Sequence, residues 1–255
     1  MPSIQRVIIT GASSGIGAAL ARHYAREGAV LGLLARRAAA LQQLAASLST
    51  PCTLYPVDIR DGASVPAAAR DFAVRHGCPD IVIANAGISV GTLTEYAEDL
   101  EVFGEALEVN VLGMVRTFQP FIACMRQRGR GALAGIASVA GYRGLPGGSA
   151  YCASKAAAIA YLESLRVELR GSGISVTTVS PGYVATSMTD NNPYPMPFLM
   201  SADEAAARIA ALIRRGTAHA VIPWQMALVG GVLRVMPNWL YDRVFARAPR
   251  KPRRN

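Results

Sequence analysis

Tyr151 and Lys155 stand four residues apart within 149–170, a stretch rich in Ala and Leu that reads as one long helix, so both fall on the same helix face. Of 26 basic residues only two are lysines, Lys155 and Lys251; Arg is used everywhere else. Lys and Arg differ in shape, hydration and pKa, so a Lys beside a Tyr carries information. A phenol titrates at roughly 10 and is a poor acid or base near neutrality. A nearby ammonium favours the phenolate and brings Tyr151 into range for proton transfer. The pair could also be an ordinary amphipathic contact, Tyr packing and Lys reaching for solvent. Its company argues against that. Ile136-Ala137-Ser138 ends an apolar run of strand length, Asn85-Ala86-Gly87 ends another, and Pro181-Gly182 a third. The carboxyl ends of parallel strands are where such sheets bind ligands. Asn110 lies inside a long helical stretch, where Asn competes for backbone hydrogen bonds and is disfavoured.

A second constellation is Thr10-Gly11-Ala12-Ser13-Ser14-Gly15-Ile16-Gly17. Three glycines at this spacing allow a tight turn, bring backbone close to a pyrophosphate and pack a helix against its strand. The helix N-terminus then offers free N–H groups to phosphate. A strand–helix turn that uses Gly for backbone freedom alone would carry the same triplet. The position between the first strand and the first helix favours dinucleotide binding, with Gly11, Ser13, Ser14, Gly15, Ile16 and Gly17 around the cofactor. The next strand ends Leu33-Leu34-Ala35-Arg36-Arg37, with no acid. An acid there would bond a ribose 2′-hydroxyl, whereas Arg accommodates a 2′-phosphate bidentately. NADP(H) is therefore the expected cofactor and Arg36 its main clamp, while Arg37 reads as the start of a solvated helix. Asp58, after the third strand, is placed either to accept from the adenine amino group or to cap the helix beginning near 61–63.

The elements that must hold these residues alternate. Apolar runs of strand length fall at 6–10, 30–35, 53–57, 80–84, 132–137 and 174–180, with helical patterns at 15–27, 38–48, 100–128, 149–170 and 202–214. Strand hydrophobicity is continuous rather than alternating, which means a parallel sheet covered on both faces. The expected fold is α/β, a single Rossmann-like doubly wound sheet. Residues 1–222 read as the dinucleotide-binding and catalytic domain. Residues 223–255 run apolar and then basic, as an extension of that domain.

Composition narrows the class. The chain has 255 residues, 51% hydrophobic and 17% charged, which excludes disordered and fibrous classes. Its longest uncharged apolar stretches are too short to span a bilayer, and no secretory leader is visible at its start. Four scattered cysteines, Cys52, Cys78, Cys124 and Cys152, lack metal-ligand spacing, so reduced thiols and a cytoplasmic location are expected, with no metal. Of the net charge of +9, six positive charges fall at 243–254, where there is no acid. A basic end on a near-neutral body suggests a local electrostatic contact or solubility, and the chain lacks the motifs of a nucleic-acid binder.

In order and spacing, Thr10-Gly11-x-x-x-Gly15-x-Gly17, Asn85-Ala86-Gly87, Asn110, Ser138, Tyr151-x-x-x-Lys155 and Pro181-Gly182 with Thr186 resemble the short-chain dehydrogenases/reductases in their non-extended form, over about residues 5–222. The resemblance implies hydride transfer between NADP(H) and a carbonyl/alcohol substrate. Tyr151 would be the proton donor and Ser138 the partner of the carbonyl oxygen. Lys155 would bond the nicotinamide ribose and lower the Tyr151 pKa. Asn110 would hold a water linking Lys155 to solvent, and Thr186 would bond the carboxamide. Asn85, Ala86, Gly87, Pro181 and Gly182 complete the implied cofactor site. A non-catalytic NADP(H)-binding regulator on this fold is the alternative, which loss of Tyr151 or Lys155 would have favoured.

The substrate side is less defined. Met188, Tyr194, Met196, Phe198 and Leu199, in the Pro-interrupted segment 187–201, could form a lid over an apolar substrate, with Tyr142 as another wall. The same residues could pack back on their own domain. The end of the chain departs from the family pattern. Trp224, Trp239, Gly230-Gly231 and the flanking arginines suit first a homodimer interface, and second a peripheral contact with an anionic membrane.

Overall fold

The structure, a computed structural model, describes residues 4–190 and 192–253. Its strands are β1 (Arg6–Thr10), β2 (Val30–Ala35), β3 (Cys52–Pro56), β4 (Ile81–Ala84), β5 (Gly131–Ile136), β6 (Ile174–Pro181) and β7 (His219–Ile222). They form one parallel seven-stranded sheet in the order β3-β2-β1-β4-β5-β6-β7. Successive strand residues point to opposite faces, and both faces are covered. Ile9, Leu31, Leu33 and Ile83 pack under α1 (Gly15–Arg26), α2 (Ala38–Ala46) and α7 (Ala202–Arg214). Ile8, Val82 and Leu133 pack on the other side under Phe72 of α3 (Ser64–His76), Phe118 of α5 (Gly113–Arg128) and Leu162 of α6 (Ser149–Glu168). That two-sided burial is why the strands read as unbroken apolar runs.

The strand order reverses between β1 and β4, which opens a crevice at their carboxyl ends. Thr10 ties the two sides of it together: its Oγ1 accepts from the Asn85 and Ala86 N–H groups at 3.1 and 3.3 Å. The helical stretch expected at 100–128 is two helices, α4 (Asp99–Leu107) and α5, joined by a π-helical turn at Glu108–Leu112. That wider turn carries Asn110 into the interior, fully buried.

One expectation is corrected and one alternative is decided. Cys78 and Cys124 are joined by a disulfide, with Cα atoms 6.0 Å apart, while Cys52 and Cys152 are free thiols. Their 46-residue separation gave no sign of this: α5 brings Cys124 over the loop before β4. The argument for a cytoplasmic location from reduced thiols falls with it. The basic end, for its part, folds back on the molecule. After α8 (Trp224–Val235) and α9 (Asn238–Phe245), Arg253 reaches Asp99 and Glu98. Arg254 lies outside the described residues. Among those described, no helix is long and apolar enough to cross a membrane.

Candidate active site

The crevice widens into a cleft along the carboxyl ends of β1, β2, β4, β5 and β6. Gly11, Ser13, Ser14, Gly15 and Ile16 form its floor at the N-terminus of α1, and Arg36 and Asp58 stand at one end. Asn85, Ala86, Gly87, Pro181, Gly182 and Thr186 line it further along, and Ser138, Tyr151 and Lys155 close the other side. Gly11 has φ +65°, and a β-carbon there would lie 2.8 Å from the Ala86 Cα, so backbone fills the space. Gly17 does not line the cleft. Its missing β-carbon lets α1 close on β1, since one would stand 2.3 Å from the Gly11 carbonyl oxygen. Asn85 fixes the loop from the opposite strand, its Nδ2 donating to the Thr10 and Gly11 carbonyls at 3.0 and 3.3 Å.

Among the described residues, no carboxylate lies within ion-pair distance of Arg36. Asp58 is held by Arg60, at 2.7 Å from Nη2, and that guanidinium keeps its carboxyl below the usual range. Asp58 does not take the capping role weighed for it: the N-cap of α3 is Ala63, and Asp61 closes a turn before it, its Oδ1 accepting from the Ala63 N–H at 2.9 Å. Arg37, expected only to start a solvated helix, precedes α2 and also lines the cleft, its Nη2 donating to Ser13 Oγ at 3.3 Å.

The Tyr–Lys pair shares one face of α6, as the spacing requires. Lys155 Nζ lies 5.8 Å from the Tyr151 ring centre and donates to the Ile136 carbonyl at 2.7 Å. Burial pushes the Tyr151 phenol up to about 12, opposed by its hydrogen bond with Ser138 and reinforced by Cys152 and Tyr194. The same burial brings the Lys155 ammonium down to about 8. The phenol is raised rather than lowered, against expectation: desolvation disfavours both charged forms and is the largest cause of each shift. Ser138 follows β5 by two residues and its Oγ accepts from the Ala140 N–H at 3.1 Å, capping the short helical turn at Val139–Gly141.

Asn110 stands one layer behind the cleft wall rather than in it. Its Oδ1 accepts from the Ile88 N–H at 2.8 Å, and its Nδ2 donates to the Ile88 carbonyl and to Ser154 Oγ at 3.0 and 2.9 Å. Ser154 in turn donates to the Tyr151 carbonyl at 2.8 Å. Sequence reasoning missed Ser154, although its place three residues after Tyr151 on one helix was a usable signal. Of the proposed lid, Met188 lines the cleft, and Tyr194 is near enough to act on Tyr151. Phe198 and Leu199 are exposed, and Met196 accepts from the Asn192 amide nitrogen at 3.5 Å. Tyr142 forms no wall of this cleft: it points outward to His219, hydroxyl to Nε2 3.1 Å.

Comparisons with known proteins agree with this geometry. The family model described as short chain dehydrogenase matches residues 5–195. The chain is 38% identical over 248 residues to an uncharacterized oxidoreductase of Myxococcus xanthus, covering 96% of this chain and 98% of that one. Its structure resembles that of a 3-ketoacyl-ACP reductase from Sinorhizobium meliloti, TM-score 0.80 at 28% identity over 88% of this chain and 99% of the other. An alcohol dehydrogenase from Thermococcus sibiricus complexed with 5-hydroxy-NADP is similar with TM-score 0.77 and 28% identity, over 86% and 96% of the two chains.

Proposed function

The chain belongs to the short-chain dehydrogenase/reductase family, and on that premise we propose that this oxidoreductase moves a hydride between NADP(H) and a carbonyl/alcohol substrate with an apolar body. The observation that carries the reading is the convergence of Ser138, Tyr151 and Lys155 on one cleft whose other end is the glycine-rich loop.

The residues present suit a dinucleotide. The Gly11 loop leaves no room for a side chain where backbone meets backbone, and the N-terminus of α1 opens onto the same floor. Arg36, with no acid in contact, would hold the 2′-phosphate. Asp58 would accept from the adenine amino group, and Lys155 and Thr186 would hold the ribose and carboxamide at the nicotinamide end. When bound, the nicotinamide supplies or takes the hydride. In the reductive direction Tyr151 gives its proton to the carbonyl oxygen. Ser138 donates a hydrogen bond to the same oxygen and steadies its growing negative charge. Burial keeps the Tyr151 phenol protonated near neutrality, the form from which a proton can be given. Asn110 would hold a water that returns a proton by way of Lys155. Its three hydrogen bonds fix Ile88 and Ser154 around that path. The test is oxidation of NADPH and of NADH with ketones and aldehydes of rising apolar size. Activity confined to NADPH and growing with chain length supports the reading. Preference for NADH overturns the cofactor assignment.

We infer that the outer face of α8 receives a second copy of the chain. Trp224, Leu228, Val232 and Val235 stay exposed at 65, 63, 57 and 79%, spaced as one helical stripe. Gly231 lies open beside them, whereas Gly230 is used internally against Tyr142. Sedimentation should show a dimer that Leu228→Glu breaks. A monomer that floats with anionic vesicles would transfer the stripe to a membrane surface.

A further inference from the structure

After α9 the chain returns across the molecule. Residues 250–253 touch all three loops that leave β4, β5 and β6 toward the reactive end of the cleft. The Gly91 N–H donates to the Pro252 carbonyl at 3.1 Å, and Gly91 pairs with Arg253 in an isolated parallel bridge. Arg250 stands against Gly147, before α6: a β-carbon on Gly147 would lie 2.8 Å from the Arg250 Cβ. Lys251 Nζ donates to Ser89 Oγ at 2.9 Å and to the Met188 carbonyl at 3.2 Å, joining the first loop to the third. Arg253 anchors the crossing. Its Nε lies 2.8 Å from Asp99 Oδ2 and its Nη2 3.1 Å from Oδ1, while its guanidinium covers the Tyr96 ring at 3.6 Å. Asp99 is only 3% exposed, so removing Arg253 would leave a buried carboxylate unpaired.

Two of the three cations of this strap, Arg253 and Lys251, are held in place by their charged or polar heads, and they differ. Arg253 is neutralised by Asp99 and Glu98. Lys251 is partly buried, yet no carboxylate among the described residues lies within ion-pair distance of it. A hydroxyl and a carbonyl take two of its three N–H donors and leave it one donor and one uncompensated charge. Burial of an ammonium without a counter-charge is unfavourable, and here it lowers the Lys251 pKa. Both anchors adjoin the site: Met188 lines the cleft that holds Tyr151, and Ser89 follows Ile88, which lines it too.

Resting on the carbonyl/alcohol reading and deepening it, we propose that Lys251 is a specificity-determining residue that binds a carboxylate on the substrate, at the end away from the reacting carbonyl. One ammonium with one free donor matches a monoanion. A phosphate group would call for a second cation: Arg253 is committed to Asp99, and Arg250 is exposed on the Gly147 side and shares neither anchor of Lys251. The backbone bridge and the Arg253 pair hold Lys251 in place beforehand, so little ordering cost falls on binding.

The probes are a graded series of straight-chain methyl ketones ending in a carboxylate, each paired with its methyl ester. They are titrated calorimetrically into the NADP⁺-loaded enzyme and assayed in parallel for NADPH oxidation. At least one acid should bind about tenfold or more tightly than its ester, the scale of a hydrogen-bonded charge. Lys251→Met should erase that preference and Lys251→Arg restore part of it, a rescue that a packing role would not give. Arg253→Ala, which unties the strap and leaves Lys251 present, should give an intermediate loss. Parity of acid and ester along the whole series, or a preference that survives in Lys251→Met, overturns the proposal. So does a loss of NADPH affinity in Lys251→Met with the acid preference intact, which would assign the ammonium to the cofactor. Turnover separates the two levels. A Lys251-dependent acid preference with no ketone reduced keeps the subsite and breaks the carbonyl reading; reduction of acids and esters alike does the reverse.

Discussion

The two ends of the cleft are built by different means. At the Arg36 end the walls are mostly backbone from one short stretch, residues 10–17, braced by Asn85 from the adjacent strand. At the Tyr151 end the walls are side chains from separate elements, among them Ser138, Tyr151, Lys155 and Met188, and the strap beside them is tied across long separations: Ser89 meets Lys251 across 162 positions, and Asp99 meets Arg253 across 154. A phosphate is held by fixed N–H groups at a helix start, which few residue types permit, so that end is written as a motif. A substrate is selected by side chains that tertiary structure brings together. Their spacing in the chain carries no pattern. If this division holds, substitutions at one end change which cofactor binds, those at the other change which substrate binds, and only those at the seam stop the reaction.

Tyr151→Phe tests the seam and should have the largest effect. It keeps the ring and removes the proton, so kcat should fall by about 10²–10⁴-fold, the usual contribution of a general acid. NADPH affinity, read by fluorescence titration, should stay close to wild type. A parallel loss of cofactor binding would mean that the two ends are not separable at this residue.

Acidity sharpens the same point. Lys155 is charged below its value of about 8 and neutral above it, while Tyr151 keeps its proton to about 12. In the reductive direction kcat/KM should therefore be level below about pH 8 and decline above it as the ammonium is lost, with Tyr151 still able to donate. Lys155→Met should be slower at every pH and lose that inflection. An unchanged inflection in the variant would assign it to another group.

How much of this could be read from residues alone follows the same division. The first strands and helices were legible because strand burial on two faces leaves unbroken apolar runs, and because Gly17 answers to the nearby Gly11 carbonyl and Gly11 to the positive φ of its own turn. Tyr151, Lys155 and Ser138 were legible from helical spacing and a strand end. Three things were not. The π-turn that carries Asn110 inward has no marker in a sequence that reads as continuous helix. The Cys78–Cys124 bond depends on where α5 crosses the loop before β4. The basic end left a local electrostatic contact and mere solubility both open, because its acidic partners, Glu98 and Asp99, lie far back in the chain. The direction of the Tyr151 shift was also misjudged: charge proximity was visible in the spacing, whereas the depth of burial was not.

Arg36→Ala isolates the cofactor end. Guanidinium–phosphate hydrogen bonds are worth about tenfold or more in affinity, so NADPH binding should weaken by that order while NADH binding changes little. The substrate range of the remaining activity should stay as in wild type. Equal losses for both cofactors would remove Arg36 from the 2′-phosphate role.

The smallest effect, and the closest comparison of the two ends, comes from adding one methyl group to each. Gly11→Ala places a β-carbon 2.8 Å from the Ala86 Cα at φ +65°, so strain and clash both fall on backbone that cannot yield. That should cost about 1 kcal/mol or more of stability. It should also lower Tm by about 2–4 °C for each such unit in a domain of this size, and weaken NADPH binding with every substrate. Gly91→Ala places its β-carbon even closer to a carbonyl oxygen, 2.2 Å from that of Lys251. Yet Gly91 has no positive φ, and the obstructing strap sits at the surface on one backbone bridge and the Arg253 ion pair. The strap can shift where the Ala86 backbone cannot, so Tm should move by less than in Gly11→Ala and NADPH affinity should hold. What should change is the choice between an acid and its ester, because Lys251 moves with the strap. If Gly91→Ala proves as destabilising as Gly11→Ala, the strap is part of the rigid fold, and the contrast between the two ends of the cleft is wrong.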